Sequence, residues 1–399
     1  MSKTIVVTGG GSGGHITPIL AVAAELKSLQ PDTRIVYIGQ TGDKLADIPA
    51  GDPNIDEVFT VRAGKFRRYH GEGFFRQLFD VPTVAKNLRD IGYILIGTWQ
   101  SWRLLRKLKP SVIFSRGGFV SVPVALGGAL QRIPYITHDS DSTPSLANRI
   151  IARWASLHAV ALPAELYPYP PDKTVTVGVP ISADYKRVTP ALLHKYRDEI
   201  GLTKAHQVLL ITGGGNGADQ LNRAVVANSA YLLQRYPGLH IVHIAGRALH
   251  KSVAAAYDNE LPADARARVV VKGFIGDLYR YSGAADVVIA RGGATNLAEF
   301  AAQAKACIII PSKQLIWNIK NTEALLDRQA VVTLTEAQSE QERRLASVVS
   351  DLFDHVSKRE ALGAALASLA RPDSAKELAV LILDEAKSSK VKSREKTVS

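Results

Sequence analysis

The segment Gly9-Gly-Gly-Ser-Gly-Gly-His15-Ile-Thr-Pro18 sets five glycines and an imidazole directly behind the apolar run Ile5-Val6-Val7. Glycine lets a backbone come against a phosphate or a sugar, and a helix beginning behind such a loop turns unpaired N–H groups toward an anion. His15, with an ordinary pKa of about 6.5, is suited to take a proton from a sugar hydroxyl at neutral pH. The plain alternative is a histidine that only shapes a tight turn, followed by Thr17 as helix N-cap and Pro18 as first helical residue. A second stretch, Asp286-Val-Val-Ile-Ala-Arg-Gly-Gly-Ala294-Thr295-Asn296-Leu297-Ala298-Glu299, ends a strand in Arg-Gly-Gly and starts a helix near Thr295. Glu299 falls one turn into that helix, where a carboxylate either favours the helix dipole or accepts the paired hydroxyls of a ribose. The glycines beside it, which admit a nucleotide, favour the second reading.

Several chemistries are set aside by the same residues. Gly9, Gly11 and Gly14 fit the GxGxxG spacing, but the next strand, Arg34-Ile-Val-Tyr-Ile-Gly-Gln40, ends without the acid that holds a nicotinamide nucleotide's ribose. Asp43 is the nearest acid. No lysine follows Gly14, so the loop is not a Walker-type phosphate loop. The single cysteine, Cys307, lies in the run Ala306-Cys-Ile-Ile-Ile310 and reads as a buried, inert thiol, which excludes an internal disulfide and a cysteine-built zinc site.

Loops of this kind need strands to carry them. Val/Ile-rich runs mark strands at 3–8, 34–38, 112–115, 134–137, 157–161 and 174–177, then at 207–212, 240–244, 268–271, 286–290, 307–310 and 330–334. Helix-length segments such as 20–29 and 221–233 separate them, which implies parallel sheets covered on both faces. The pattern restarts: Gln207-Val-Leu-Leu-Ile-Thr-Gly-Gly-Gly215-Asn216-Gly-Ala repeats the design of Lys3-Thr-Ile-Val-Val-Thr-Gly-Gly-Gly-Ser12-Gly13-Gly14. The expectation is an α/β chain of two doubly wound, Rossmann-like domains facing a cleft, with ligands beyond the carboxyl ends of the strands. The boundary is expected at Pro180, which bars a helix, giving domains at 1–180 and 181–385 and a basic, disordered tail at 386–399.

The 399 residues carry a net charge of +12, and it is unevenly spread. Residues 62–109 hold a net +8 and residues 386–399 a net +4, so the rest of the chain is neutral. In the first cluster the basic residues alternate with Phe74-Phe-Arg-Gln-Leu-Phe79 and with Trp99 and Trp102, as in a segment lying on an anionic membrane. Helices packed on a sheet account for the apolar residues alone. Nucleic acid is the rival partner for such a patch, but no nucleic-acid-binding motif accompanies it, so none is expected. The chain lacks a signal-peptide pattern and an apolar stretch of about 20 residues, so the expectation is a cytoplasmic protein, peripheral on the inner face of the membrane.

Taken in order, Gly9-Gly-Gly-Ser-Gly-Gly-His-Ile-Thr-Pro, Arg116-Gly-Gly-Phe-Val-Ser-Val-Pro, Gly213-Gly-Gly-Asn-Gly-Ala and Arg291-Gly-Gly-Ala-Thr-Asn-Leu-Ala-Glu resemble the MurG family over roughly residues 3–385. The resemblance implies a GT-B fold and transfer of N-acetylglucosamine from UDP-N-acetylglucosamine to the undecaprenyl-diphosphate-linked N-acetylmuramyl-pentapeptide of peptidoglycan synthesis. It implies an inverting enzyme without metal or cofactor, UDP-sugar on the C-terminal domain and lipid acceptor on the N-terminal one. Residue by residue, it puts Ser12, Gly13 and Gly14 near the reacting sugar and diphosphate, with His15 as base or orienter of the acceptor's 4-hydroxyl. Phe274 and Ile275 fall on the uracil, Gly215 and Asn216 by the diphosphate, and Ala294, Thr295, Asn296, Leu297, Ala298 and Glu299 on the diphosphate and ribose.

The chain departs from the family in its donor site. His138-Asp139-Ser140-Asp141 replaces His-Glu-Gln-Asn, so an amide that handles the sugar becomes the acid Asp141. Ser182 stands where an arginine is usual, Gly215 where a serine is, and Asn318-Ile319 where the family has two glutamines. Arg291 and Lys313 are the cations available to compensate. Asp139-Ser-Asp141 also has the Asp-x-Asp form of metal-dependent glycosyltransferases, although GT-B enzymes usually hold the diphosphate by helix dipoles. A related UDP-sugar-dependent glycolipid synthase, and a non-catalytic UDP-sugar- or lipid-binding homologue, stay open as alternatives.

Overall fold

Short Val/Ile-rich runs buried on both faces make parallel strands, because each crossover returns a helix to one face or the other. The computed structural model describes residues 3–11, 13–65, 81–215 and 217–398, with side chains described outside 81–87 and 389–398. The first sheet holds β1 (Thr4–Thr8), β2 (Arg34–Gln40), β3 (Glu57–Val61), β4 (Val112–Ser115), β5 (Tyr135–Asp139), β6 (Leu157–Val160) and β7 (Thr174–Thr176), in the order β3-β2-β1-β4-β5-β6-β7. The second holds β8 (Gln207–Thr212), β9 (Leu239–Ile244), β10 (Val269–Lys272), β11 (Val287–Ala290), β12 (Ala306–Ile309) and β13 (Val332–Thr333), in the order β10-β9-β8-β11-β12-β13. All pairings are parallel.

Both orders start at a central strand, run outward on one side, then return to its other side. The reversal falls between β1 and β4 in one sheet and between β8 and β11 in the other, which makes each a Rossmann-like domain. Register sets Thr8 beside Ser115 and Thr212 beside Ala290, so the loops that follow leave from one edge. Alternation along β8 sends Leu209 and Ile211 into one core and Val208 and Leu210 into another.

The chain divides into residues 1–182 with 373–399, and residues 183–372. Residues 373–385, expected in the second domain, belong to the first. Ala375, Leu378, Ala379, Ile382, Leu383 and Ala386, spaced three or four apart on the helix Ser374–Val398, pack into the core formed by Ile5, Val7, Ile19, Val22 and Leu26. The same helix runs through the segment expected to be a disordered tail, because its apolar stripe reaches Ala386 before the basic residues begin.

Two local expectations also change. The helix Gly13–Leu29 starts four residues before Thr17, so Thr17 is not its N-cap; the Thr17 hydroxyl donates to the Gly13 carbonyl at 3.2 Å and Pro18 lies inside the helix. Strand β3 went unread, since Glu57 and Thr60 break its apolar run and it pairs only with β2.

Leu378 is fully buried, so Leu378→Ala is expected to cost about 2–5 kcal/mol, the range for truncating a core leucine. Urea denaturation of the full chain measures it. A cost below about 1 kcal/mol would show that the helix is not part of the core.

Candidate active site

In the first unit the glycine loop and the Arg116-Gly117-Gly118 turn follow β1 and β4, the strands at the reversal. Most of the loop's glycines answer to packing. A Cβ on Gly9 would meet Ile19 at 2.8 Å, and one on Gly11, at φ +81°, would meet the Phe119 ring at 2.7 Å. A Cβ on Gly118 would come within 2.9 Å of the Gly10 carbonyl, so the two turns lie against each other. Gly13 is different: a Cβ there meets nothing within 4 Å. The fold does not require that glycine, and the space beside it is open to a ligand. Asp43, the acid once considered for a ribose, braces the loop by accepting from Gly11 N at 3.2 Å and Leu45 N at 3.0 Å.

His15 sits partly buried over Gly118, its Cδ2 3.7 Å from the position of a Cβ there. Burial pushes its pKa down to about 4 and the Arg116 charge pushes the same way, while a backbone hydrogen bond with Arg116 works weakly against them. The ring is therefore neutral at pH 7, and its Nδ1 is shut off from solvent without a hydrogen bond of normal geometry among the described residues. Asp139 is buried, and its oxygens accept from the Tyr169 hydroxyl at 2.7 Å and Ser145 N at 3.1 Å. Tyr169 is in turn stacked on His158 at 4.0 Å. The Asp141 carbonyl accepts from the Tyr167 hydroxyl at 3.0 Å, and the Asp141 charge acts on Arg116. Among the described residues no group of three or more His, Cys, Asp or Glu side chains is placed to hold a metal ion.

The second unit repeats the arrangement after β8 and β11. Gly217, at φ +77°, has no room for a side chain because the Ala245 carbonyl would lie 2.3 Å from its Cβ. The helix that follows begins at Asp219, four residues after Gly215, with Ala218 as an N-cap that makes no side-chain hydrogen bond. The helix Ala294–Ala302 likewise starts at Gly293 without a side-chain cap, and a Cβ on Gly293 meets nothing within 4 Å. In both helices the N-cap residue itself has no side chain that can accept from the first turn.

Glu299 is buried on the second of these helices, where Asn296 Nδ2 donates to its Oε2 at 3.2 Å and the Tyr185 hydroxyl hydrogen-bonds its carboxylate. Burial pushes its pKa up to about 8, with the Tyr185 bond opposing. Leu297 is buried and shares an apolar cluster with Ile275, while Arg247 lies over the Phe274 ring at 4.7 Å. Asn318 is buried, its Oδ1 has no partner among the described residues, and its carbonyl accepts from the Thr322 hydroxyl at 2.7 Å. Arg291, a candidate to compensate for the missing arginine, is instead held by Glu336 at 2.8 Å and the Ile310 carbonyl at 2.9 Å.

The structure thus gathers Gly13, Gly14 and His15 with Arg116 in one unit. In the other it places Gly215 and Ala294, Thr295 and Asn296 at the two loops of the strand-order reversal, with Ala298 in the same helix as Glu299. Ser12 and Asn216 lie outside the described residues. Sequence reasoning gave Arg116 and Tyr185 no role. The repeated Arg-Gly-Gly was a signal for the first; a lone tyrosine after the domain boundary gave none for the second.

The model of the glycosyltransferase family 28 N-terminal domain matches residues 5–160, and that of the glycosyltransferase family 28 C-terminal domain matches residues 208–378. A UDP-N-acetylglucosamine–N-acetylmuramyl-(pentapeptide) pyrophosphoryl-undecaprenol N-acetylglucosamine transferase of Bacillus cereus is 32% identical over 361 residues, 89% of this chain and 93% of that one. The enzyme of that name from Treponema pallidum is 32% identical over 359 residues, 88% of this chain and 87% of its own. The crystal structure of Acinetobacter baumannii MurG superimposes with a TM-score of 0.66 at 22% identity, covering 96% of this chain and 99% of that one.

The Glu299 environment makes a pH-dependent prediction. Its folded pKa of about 8 lies above the ordinary 4.5, so its contribution to stability is fully present below pH 4.5 and is lost as pH rises toward 8. Glu299→Gln has no such titration, so relative to wild type it should gain up to about 4 kcal/mol between pH 5 and pH 8. Chemical denaturation of both proteins at the two pH values measures this, and an unchanged difference would rule out the raised pKa.

Proposed function

The chain belongs to the MurG family within glycosyltransferase family 28, and from that premise we propose that it transfers N-acetylglucosamine from UDP-N-acetylglucosamine to lipid-linked N-acetylmuramyl-pentapeptide. The observation that carries the reading is shared by both sheets: a glycine loop and an Arg-Gly-Gly turn leave together from the reversal of strand order. Such a reversal is where open α/β sheets take their ligands.

In this reading the second unit holds the donor. The helix N-termini at Asp219 and Ala294 take the diphosphate charge that grows as UDP leaves, the task for which fixed N–H dipoles are suited. Glu299 accepts the ribose hydroxyls, giving up its bond to Tyr185 as it does so. Phe274 and Ile275 carry the uracil, and Asn318, whose buried Oδ1 lacks a partner among the described residues, turns that oxygen to the sugar. The first unit holds the acceptor beside Gly13. The acceptor's 4-hydroxyl attacks the anomeric carbon from the side opposite UDP; the bond to the UDP oxygen breaks and the hydroxyl proton passes to neutral His15.

We place the protein peripherally on the inner face of the cell membrane, through part of the segment 74–109. Among the described residues no helix is long and apolar enough to cross a membrane. Support comes from the helix Val81–Leu108. Asp90, Gly97, Ser101 and Leu105 form its buried face, so packing explains one side only. On the other, Leu88, Leu95 and Trp99 are 64%, 66% and 56% exposed, and Ile91 joins them at helical spacing. Arg103 lies over the Trp99 ring at 4.9 Å and Arg106 over Trp102 at 5.4 Å. Apolar rings capped by cations suit the boundary between acyl chains and anionic headgroups. Phe74, Phe75 and Phe79 lie outside the described residues.

The direct test offers labelled UDP-N-acetylglucosamine with lipid-linked N-acetylmuramyl-pentapeptide and reads the product by mass. His15→Ala is expected to lower turnover by about 10²–10⁴, as for a lost general base, with UDP affinity kept. Glu299→Ala is expected to weaken UDP binding by about 1.5–3 kcal/mol in calorimetry. Turnover unaffected by the first, or affinity unaffected by the second, would remove that residue from the mechanism.

Charge reversal at Arg103, Arg106 and Lys107 is expected to weaken binding to anionic vesicles by about 3 kcal/mol at low salt and by less at high salt. Activity on a short-chain, water-soluble acceptor should survive. Unchanged vesicle binding would make this an ordinary packed helix.

A further inference from the structure

Strands β2 and β9 hold matching places, each beside the central strand of its sheet, and each puts one polar side chain at the same register position. Tyr37 pairs with Val7 and His243 with Ile211, one residue before the threonine that ends the central strand. In the first unit the Tyr37 hydroxyl donates straight to the Gly9 carbonyl of the glycine loop. In the second, His243 is fully buried among Ile241, Val242 and Ile244, where a ring nitrogen left without a partner would cost free energy. Both nitrogens are used. Nδ1 lies 2.9 Å from the Tyr257 hydroxyl and Nε2 lies 3.0 Å from Asn222 Oδ1. Asn222, also buried, sends its Nδ2 to the Ala245 carbonyl at 3.0 Å.

The roles along this chain are fixed from its far end. A carbonyl only accepts, so Asn222 must turn its NH₂ to Ala245 and its oxygen to His243. That oxygen requires the ring proton on Nε2. Nδ1 of the imidazole, which burial keeps neutral, then accepts from Tyr257. Every link runs one way, from Tyr257 through His243 and Asn222 to Ala245. The Ala245 carbonyl is also what the glycine turn leans on. A Cβ on Gly217 would lie 2.3 Å from it, and Gly217, at φ +77°, closes the turn by donating to the Gly214 carbonyl at 2.9 Å. The Ala245 N–H donates to the Lys272 carbonyl of β10 at 2.8 Å, so the residue is held from both sides. Asn222 stands in the first turn of the helix Asp219–Arg235, its own N–H on the Ala218 carbonyl at 2.9 Å. Resting on the reading that the second unit holds the donor, we propose that Tyr257, His243 and Asn222 are positioning residues for the donor's diphosphate. They pin the helix start to the end of β9 and so seat the turn that meets the phosphates, as Tyr37 seats the loop of the first unit. A polar chain with every group satisfied fixes one arrangement of the elements it joins.

Two measurements on the full-length protein test this. In histidine NMR of the wild type at about pH 7, with the signals assigned through the main chain, the His243 proton is expected on Nε2. A proton on Nδ1 reverses the chain and overturns the proposal, and this measurement needs no variant to fold. Calorimetry then compares UDP with uridine, which lacks the phosphates. Asn222→Asp sets an oxygen against the Ala245 carbonyl, and His243→Leu removes the donor to Asn222. Each is expected to weaken UDP binding about 10-fold, the loss of one buried hydrogen bond, and uridine binding by less than about 3-fold. His243→Gln, whose amide can donate where Nε2 does, should return UDP affinity toward wild type, whereas packing alone would rank it with His243→Leu. A lower melting temperature with unchanged UDP affinity, or equal losses for UDP and uridine, overturns the positioning role and leaves the donor reading intact. No UDP binding by the wild type overturns the donor reading, and this proposal with it.

Discussion

Parallel pairing forces neighbouring strands to end at the same edge, and the active site follows from that constraint. Because Thr8 pairs with Ser115 and Thr212 with Ala290, a glycine loop and an Arg-Gly-Gly turn must emerge side by side in each sheet. Hydrogen bonds then lock the emerging backbone: Arg116 N donates to the Thr8 carbonyl, and the Thr8 hydroxyl donates to the Ile38 carbonyl across to the next strand. The close approach of the turns, with Gly118 against Gly10, is possible only because both lack side chains. Much of the glycine richness thus serves the protein's own packing, and Gly13 and Gly293 are the positions where that need disappears.

Burial works in opposite directions on the two titratable groups of the site, and leaves both uncharged near neutral pH. It lowers the imidazole of His15 to about 4 and raises the carboxyl of Glu299 to about 8. Each unit so presents a neutral side chain in the first turns of a helix that follows a glycine turn. In the proposed chemistry the charge arrives with the diphosphates, and the protein answers it with dipoles that are already oriented and need no rearrangement.

The sequence carried the strands well wherever a strand is buried on both faces, since continuous Val and Ile leave little else to read. It failed at β3, an edge strand in which Glu57 and Thr60 face partly to solvent. It failed again at the C-terminal helix, where the basic residues after Ala386 mask an apolar stripe that only a count by threes and fours would show. Of the site, the residues carried by motifs were legible. The pairing of Tyr185 with Glu299 and the bond from buried Arg116 to Ser140 were not, because each depends on what a distant stretch of chain brings alongside. The same is true of Arg291: it looked available to a ligand until the structure brought Glu336 to it from 45 residues further on.

The helix Ser374–Val398 also bears on how the chain is made. Translation delivers β1 to β7 first, but the core that Ile5 and Val7 share with Val22 of the helix Gly13–Leu29 lacks its last wall until Leu378 and Ile382 have been synthesised. Every residue of the second unit, 183–372, is complete by then. The N-terminal unit, usually the first to mature during synthesis, is here the last to receive all of its residues. Until then part of that core is open to water, and apolar surface left open on a growing chain is where aggregation starts.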